Sequence, residues 1–326
     1  MKRFFYAGLA LTGLLSLLAF SVSLYRSFRL YIFTSEPVTP LEFHFSLYIS
    51  DNRNSFFEGI IRGAEQAAAE LNSAVSVHSI DPAKNKLAVA AFTGVDGIIV
   101  CPDLNDDLVR RQMEKLKDHQ IPVVLINHNL PSDQPWPFIG INNFDLGRRI
   151  GLALQNSPEK IRLAVVYSDK APGIYTEREL VEMGIIASLE DQLSGPIISY
   201  RTNLNPLDAE ALLARIFRSP LLRFENPDRA DEPVINTIVF TDPEDTIAAA
   251  QTLVDMNLVG QLQIIGFGDD PRVIENLRKG IVSASVVISP EQMGYEAVYS
   301  LAGLRTTGYT SALIDTRIEI INGSEQ

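Results

Sequence analysis

Short apolar runs alternate with longer amphipathic segments along most of the chain. The runs include FHFSLYI at 43–49, GIIVC at 97–101 and PVVLI at 122–126, and such runs are typical of strands buried on both faces. Between them apolar residues recur at helical spacing, as they do over residues 55–71. Strands that alternate with helices predict βαβ units, and therefore parallel sheets covered by helices.

The alternation restarts at residue 161, after a first series that ends with a strand at 138–141 and a helix at 146–154. The second series predicts strands at 161–168, 196–200, 234–240, 263–267, 283–288 and 314–321, with helices near 177–191, 207–217, 244–257, 271–279 and 291–304. Two such series predict two doubly wound, Rossmann-like α/β domains.

An uncharged apolar stretch occupies residues 4–25, with basic residues on both sides. As a helix, these 22 residues would be about 33 Å long, which is close to the thickness of a bilayer core. We therefore expect residues 1–33 to form a signal anchor with one transmembrane helix, and residues 34–42, which contain two prolines, to form a linker.

Cleavage of this segment is the alternative. Ser21 and Ser23 are small residues at the spacing that signal peptidase requires, so cleavage after Ser23 would release the protein. The apolar run is longer than an ordinary signal core, and this favours the uncleaved anchor. A lipid-anchored protein is excluded because Cys101, the only cysteine, is far from the run.

Composition narrows the possible functions. The chain has 28 Lys and Arg against 40 Asp and Glu, giving a net charge of −12, so we expect no nucleic-acid partner. One cysteine excludes an intramolecular disulfide and a cysteine-based zinc cluster. The four histidines lack metal-ligand spacing. The sequence contains no GxGxxG, P-loop, GxSxG or HExxH motif, so we expect no enzyme, no cofactor and no metal.

Polar residues follow the predicted strands, at the edge where parallel sheets bind ligands. After the first strand, Ser50 and Asn54 lead into the aromatic pair Phe56 and Phe57. A sugar site needs a ring to stack on and amides or carboxylates to bind hydroxyls, and this segment supplies both. The polar residues are also explained by capping of the next helix, and one phenylalanine must face the core.

Three later strands end in the same way. Asn127 and His128 follow one strand, Thr241 and Asp242 follow another, and Asp269 comes after the strand that ends at Phe267. Turns and helix caps are the alternative explanation for each of these residues.

The chain resembles the type I periplasmic sugar-binding proteins, which are related to ribose-binding proteins and to the core of lac-type repressors. The resemblance extends from residue 43 to about 321 and is carried by HFSLYISDNRNSFFEGIIRGAEQAAAEL, GVDGIIVCPDLND, IPVVLINHNLP, FIGINNFDLGRRIG, VFTDPEDTIAAAQTL, IIGFGDDPRVIENLRKGIV and SASVVISPEQMGYEAV. It implies a two-domain clamp joined by a three-strand hinge, with ligand bound in the cleft and closure by hinge motion.

The resemblance also implies where the chain crosses between domains, namely near 142–144, 287–290 and 309–313. The implied N-terminal lobe is 43–142 plus 289–311, and the implied C-terminal lobe is 143–288 plus 312–326.

The binding positions implied by the resemblance are Ser50, Asn54, Phe56, Phe57, Asn127, His128, Asn143, Arg178, Thr241, Asp242, Phe267 and Asp269. Asn127 and His128 stand where ribose-type members have Asp and Arg, and Gly268 replaces an acid. Because a charged Asp and Arg pair fixes neighbouring sugar hydroxyls, ribose itself is not the expected ligand. A sugar, polyol or related small polar molecule is expected instead.

The implied function is an extracytoplasmic, membrane-tethered solute-binding protein that serves an ABC-type sugar permease. Presentation of the ligand to a membrane histidine kinase is the alternative, and an uncleaved anchor favours it. A lac-type regulator would need a helix-turn-helix before the core, whereas residues 1–42 hold an apolar run and a linker. An enzyme on this fold is disfavoured by the missing catalytic motifs.

Overall fold

The computed structural model describes residues 12–26, 40–49, 55–80, 86–102, 106–130, 136–155, 159–169, 177–203, 210–217 and 235–323, together with Ser157 and Ile174. The chain divides into two units, residues 1–42 and residues 43–326.

The first unit contains a helix, α1, over residues 12–26. Its large apolar side chains are exposed, among them Leu14, Leu17 and Phe20. The rest of the predicted anchor at 1–33 lies outside the described residues. None of the described helices combines the length and the hydropathy that a membrane crossing requires.

Two six-stranded sheets form the framework of the second unit. The first sheet has the order β11-β5-β4-β3-β1-β2 and consists of β1 (His44–Ile49), β2 (Ala74–Ser79), β3 (Gly97–Val100), β4 (Val123–Ile126), β5 (Phe138–Gly140) and β11 (Leu313–Asp315). All of its strand pairs are parallel. Every residue of β3, β4 and β5 is buried, as expected for strands covered on both faces.

The second sheet has the order β12-β10-β9-β8-β6-β7 and consists of β6 (Leu163–Ser168), β7 (Ile198–Thr202), β8 (Thr237–Phe240), β9 (Gln263–Phe267), β10 (Ala284–Ile288) and β12 (Ile318–Asn322). Its strands are parallel except for β12, which runs antiparallel to β10. The prediction of two doubly wound parallel-sheet domains is confirmed.

Helices connect the strands of both sheets. They are α2 (Ser55–Glu70), α3 (Lys86–Val89), α4 (Asp106–Asp118), α5 (Asn143–Leu154), α6 (Arg178–Leu189), α7 (residues 210–217), α8 (Pro243–Asp255), α9 (Pro271–Arg278) and α10 (Pro290–Thr307), with short 3₁₀ turns at Ala90–Phe92 and Glu190–Gln192. Three of them have their N-cap within three residues of a strand end, where Asp242, Asp270 and Ser289 accept hydrogen bonds.

The predicted strand at 314–321 is wrong as a single element. Residues 313–315 pair with β5 in the first sheet, whereas residues 318–322 pair with β10 in the second. The third passage between lobes therefore lies at Thr316–Arg317, after the range expected from the resemblance, and residues 312–315 belong with the first lobe. The reason is tertiary, because each half of this apolar run finds a different neighbouring strand.

The main core cluster includes residues from both lobes. It contains Phe45 and Ile99 of the first sheet and Val165 and Val239 of the second, all fully buried. Separate clusters fill the opposite faces, under α4 in the first lobe and under α8 in the second. Each sheet is thus covered on both faces.

Two helix pairs pack backbone against backbone, α2 with α10 and α5 with α6. A Cβ added to Gly147 of α5 would overlap the carbonyl oxygen of Val181, and one added to Gly184 of α6 would overlap that of Phe144. Gly63 has the same relation to the backbone of α10. Glycine is needed at these positions because no side chain fits between the helices.

We expect Gly147→Ala to lower the free energy of unfolding by about 1–3 kcal/mol, because α5 and α6 must separate to admit the methyl group. Urea unfolding measures this change. Gly303→Ala in α10 is the milder comparison, since an added Cβ there would lie 3.0 Å from the Tyr309 carbonyl oxygen, whereas one at Gly147 would overlap that of Val181. If Gly147→Ala is as stable as the unsubstituted protein, the helices are not in backbone contact.

Candidate ligand-binding cleft

Short links join the two lobes at the carboxyl edges of their sheets. β5 ends at Gly140 in the first lobe, and α5 of the second lobe begins at Asn143. β10 ends at Ile288 in the second lobe, and only Ser289 separates it from α10 of the first. Residues that follow the parallel strands therefore gather on the two sides of one cleft, which is where open α/β sheets bind ligands.

The two phenylalanines after β1 differ in their burial. Phe57 is buried and belongs to the main core, whereas Phe56 is only partly buried and packs against that core. The two rings meet edge to face, with centroids 5.5 Å apart. Phe56 is therefore the ring available for stacking. Ser50 and Asn54, the polar residues predicted beside it, lie outside the described residues.

Asn127 and His128 follow β4 and are both buried. Asn127 has a φ of 64°, a left-handed conformation that asparagine tolerates better than most residues, so its presence also has a backbone reason. Its side-chain nitrogen lies 3.9 Å from the sulfur of Cys101, which is itself buried. His128 is 1% exposed, and its backbone nitrogen donates to the Ile126 carbonyl oxygen at 2.7 Å.

Asn143, the first residue of α5, meets the residue that precedes α6. Its Nδ2 donates to Oε2 of Glu177 at 2.8 Å, and the asparagine is 4% exposed. The amide oxygen, Oδ1, is buried and has no hydrogen-bond partner among the described residues. A buried acceptor without a partner costs about 1–3 kcal/mol. A ligand donor at this point would remove that cost.

Arg178 begins α6 beside this pair. Its guanidinium lies 4.0 Å from the Glu179 carboxylate, and its carbonyl oxygen accepts a hydrogen bond from the Tyr167 hydroxyl at 3.4 Å. Burial raises the pKa of Tyr167, and the negative charge of Glu182, 3.3 Å from the hydroxyl, raises it further. Tyr167 therefore remains a neutral hydrogen-bond donor at neutral pH.

Thr241 and Asp242 follow β8 and already have structural partners. The Thr241 hydroxyl accepts from the Ser168 backbone nitrogen at 3.0 Å and donates to the Val166 carbonyl oxygen at 3.3 Å. Asp242 caps α8 by accepting from the Asp245 backbone nitrogen at 3.0 Å. The helix-cap explanation thus holds for Asp242, and a ligand role for either residue stays a prediction.

β9 ends at Phe267, and Gly268 and Asp269 follow it. Phe267 is 6% exposed and packs in the main core, whereas Asp269 is exposed. Gly268 has a φ of 81°, and an added Cβ would lie 2.7 Å from the Pro243 ring. These two constraints require glycine at this position.

Two charged groups on the cleft side were not predicted. Asp169 follows β6 directly and forms an ion pair with Arg201 of β7. Its position directly after a predicted strand could have identified Asp169 as a candidate residue of the site. Glu177 follows no strand and matches no motif, so its contact with Asn143 had no signal in the sequence.

The crossings are joined by hydrogen bonds. The Thr316 backbone nitrogen donates to the Gly140 carbonyl oxygen at 2.8 Å, and the Arg317 backbone nitrogen donates to Oε1 of Gln292 at 3.0 Å. A groove of about 890 Å³ lies beside them and is lined by residues that include Asn142, Gln292 and Arg317. None of the predicted ligand residues that the structure describes lines this groove.

No cluster of three or more His, Cys, Asp or Glu suited to a metal ion occurs in the part of the chain that the structure describes. The polar groups at the strand ends are amides, hydroxyls and carboxylates, which bind hydroxyl-rich molecules well. Fold and site together define a two-lobed binding protein with a cleft between its lobes.

The sequence pattern of the periplasmic binding protein domain matches residues 45–308, so the chain belongs to the periplasmic binding protein family. This family consists of solute-binding proteins and not of enzymes, in agreement with the sequence analysis. A comparison with curated protein sequences found no match.

Several solved structures share the fold. GanP, a glucose-galactose binding protein from Geobacillus stearothermophilus, is 23% identical, with a TM-score of 0.72 over 87% of this chain and 98% of that one. The Caulobacter myo-inositol binding protein, solved with myo-inositol, is 18% identical, with a TM-score of 0.70 over 88% and 95%. A chain of the XylFII-LytSN complex is 20% identical, with a TM-score of 0.69 over 88% and 100%.

We expect Thr241→Val to lower the free energy of unfolding by about 1–3 kcal/mol, because the buried Ser168 backbone nitrogen loses its acceptor. Thr252→Val is the matched control, since the Thr252 hydroxyl donates only to the Ala248 carbonyl one turn earlier. Urea unfolding of the two variants compares them. Equal stabilities would contradict a structural role for Thr241.

Proposed function

We propose that this protein is an extracytoplasmic solute-binding protein that binds a neutral sugar or polyol between its two lobes and closes around it by hinge motion. The observation that carries the proposal is that links of one or two residues join the lobes at the carboxyl edges of their sheets, the edge at which such sheets bind ligands. Short links at a single edge permit rotation of the lobes about the crossings.

The chemistry of the cleft supports a neutral, hydroxyl-rich ligand. Phe56 offers an aromatic face, while Asn127 and Asn143 offer amides. The net charge of the chain is −12, and this disfavours anionic ligands. Similar structures bind sugars or a cyclitol, as the names of the glucose-galactose and myo-inositol binding proteins state.

Delivery to an ABC-type sugar transporter is the proposed role. A sugar ABC transporter's sugar-binding protein from Bacillus halodurans shares the fold, with a TM-score of 0.70 and 18% identity over 86% of this chain and 98% of that one. The proposed location is the outer side of the cytoplasmic membrane. The uncharged stretch at 4–25 would hold the protein there as an uncleaved anchor.

A sensory role is the second candidate. A fixed anchor limits shuttling between ligand capture and a transporter, and the XylFII-LytSN complex shows a protein of this fold assembled with a second protein. In this role the closed protein would present its bound ligand to a membrane histidine kinase.

Thermal unfolding with a sugar panel tests the binding function. We expect at least one of D-glucose, D-galactose, D-ribose, D-xylose and myo-inositol to raise the melting temperature, because a ligand that binds only the folded state stabilises it by RT ln(1 + [L]/Kd). D-galacturonate is the anionic control and should not. The absence of a shift with all five neutral compounds would contradict the proposed ligand class.

The anchor has its own test. In its host, the protein should fractionate with membranes and retain its original N-terminus. N-terminal sequencing that begins at Leu24, with the protein in the soluble fraction, would show cleavage after Ser23 and contradict the tether.

Phe56→Ala should weaken sugar binding by about 2–4 kcal/mol, as truncation of a stacking ring at a binding hot spot does. This corresponds to about a 30- to 1,000-fold rise in Kd, measured by calorimetric titration. Phe57→Ala is the comparison, and it should lower the free energy of unfolding by about 3–5 kcal/mol because its ring is in the core. Unchanged affinity in folded Phe56→Ala would place the ligand elsewhere.

A further inference from the structure

The orientation of the Asn143 amide is fixed by its neighbour. An asparagine side chain offers a donor on one side and an acceptor on the other, and rotation by 180° exchanges them. The group that faces the amide is the carboxylate of Glu177, with 2.8 Å between Nδ2 and Oε2. An ionised carboxylate only accepts hydrogen bonds, so the nitrogen must point toward Glu177 and the oxygen away from it.

The pair lies on the cleft side of the second lobe. α5 begins two residues after the carboxyl end of β5. α6 follows β6, whose carboxyl end lies at the carboxyl edge of the second sheet, because β6 is parallel to β7 and β8. The backbone contacts at Gly147 and Gly184 hold the two helices together one to two turns further along. The first turns of both helices are therefore fixed relative to one another at the cleft.

The amide oxygen of Asn143 needs a hydrogen-bond donor other than Glu177. Oδ1 of Asn143 is buried and has no partner among the described residues. Asn143 is 4% exposed, so this acceptor is shielded from bulk water.

We propose that Glu177 is a positioning residue that fixes the orientation of the Asn143 amide, with the oxygen toward the cleft. This oxygen binds only ligands that offer a hydroxyl donor there. This inference rests on the proposed binding function and names the group that selects the ligand. A ligand with an ether, a carboxylate or a hydrogen in place of that hydroxyl leaves the oxygen unpaired and binds more weakly.

A double-mutant cycle separates positioning from a general structural role. The Kd is measured by calorimetry with whichever of D-glucose, D-galactose, D-ribose, D-xylose or myo-inositol gives the largest thermal shift. We expect a rise of about 10-fold or more for Asn143→Ala and about 5-fold for Glu177→Ala. In the Asn143→Ala background, Glu177→Ala should change the Kd less than about 2-fold, because no amide remains to be oriented.

An exchange of the two polar groups provides a rescue. Asn143→Asp alone places two carboxylates together and should weaken binding. The double variant Asn143→Asp with Glu177→Gln restores one donor and one acceptor between the residues and leaves an oxygen toward the cleft, so it should recover most of the affinity. Glu179→Ala is the matched control. Glu179 lies two residues after Glu177 and its side chain is 85% exposed, so this variant should bind as the unsubstituted protein does.

Two results would overturn the proposal. One is an unchanged Kd in Glu177→Ala, and the other is an equal loss from Glu177→Ala with and without Asn143. If none of the five compounds binds, the proposed function fails, and the side-chain amide resonances of Asn143 then decide the positioning claim. Glu177→Ala should shift them while Glu179→Ala does not, and equal spectra for the two variants would refute the claim.

Discussion

The contact between α5 and α6 is the constraint on which the candidate site depends. Gly147 and Gly184 let the two helix backbones meet, and a methyl group at either position would overlap a carbonyl oxygen of the other helix. This close approach brings Asn143 at the start of α5 within hydrogen-bond distance of Glu177. The same arrangement recurs between α2 and α10, where Gly63 and Gly294 pack against the partner backbone. Each lobe thus has one rigid helix pair beside the crossings.

Residues after the strands carry two demands at once. Asn142, Asp242 and Ser289 cap the helices that follow them, and the same strand ends form the walls of the cleft. Where the side chain is already engaged by the backbone, as at Thr241, less remains for a ligand. Where a buried oxygen has no partner among the described residues, as at Asn143, an acceptor remains for the proposed ligand. The hydrogen-bond partners of these side chains therefore distinguish residues that sequence position alone groups together.

Much of the fold was predictable because parallel strands buried on both faces are continuous apolar runs. β3, β4 and β9 lie within one residue of their predicted bounds for this reason. Residues 313–322 were harder, since a single apolar run serves two sheets and only tertiary pairing decides where it divides. Phe56 and Phe57 were singled out as a pair, yet adjacent residues on a helix point about 100° apart, and only the packed structure shows which one faces the core. Glu177 was not predictable, because its contact is with Asn143, 34 residues earlier, and forms only when α5 and α6 pack together.

The central claim is that a neutral sugar or polyol binds between the lobes. A crystal structure with the bound compound tests it most directly. We expect density between the carboxyl edges of the two sheets, with a hydroxyl donating to Oδ1 of Asn143 and a sugar face against the Phe56 ring. A compound bound in the groove beside Gln292 and Arg317, with the cleft empty, would contradict it.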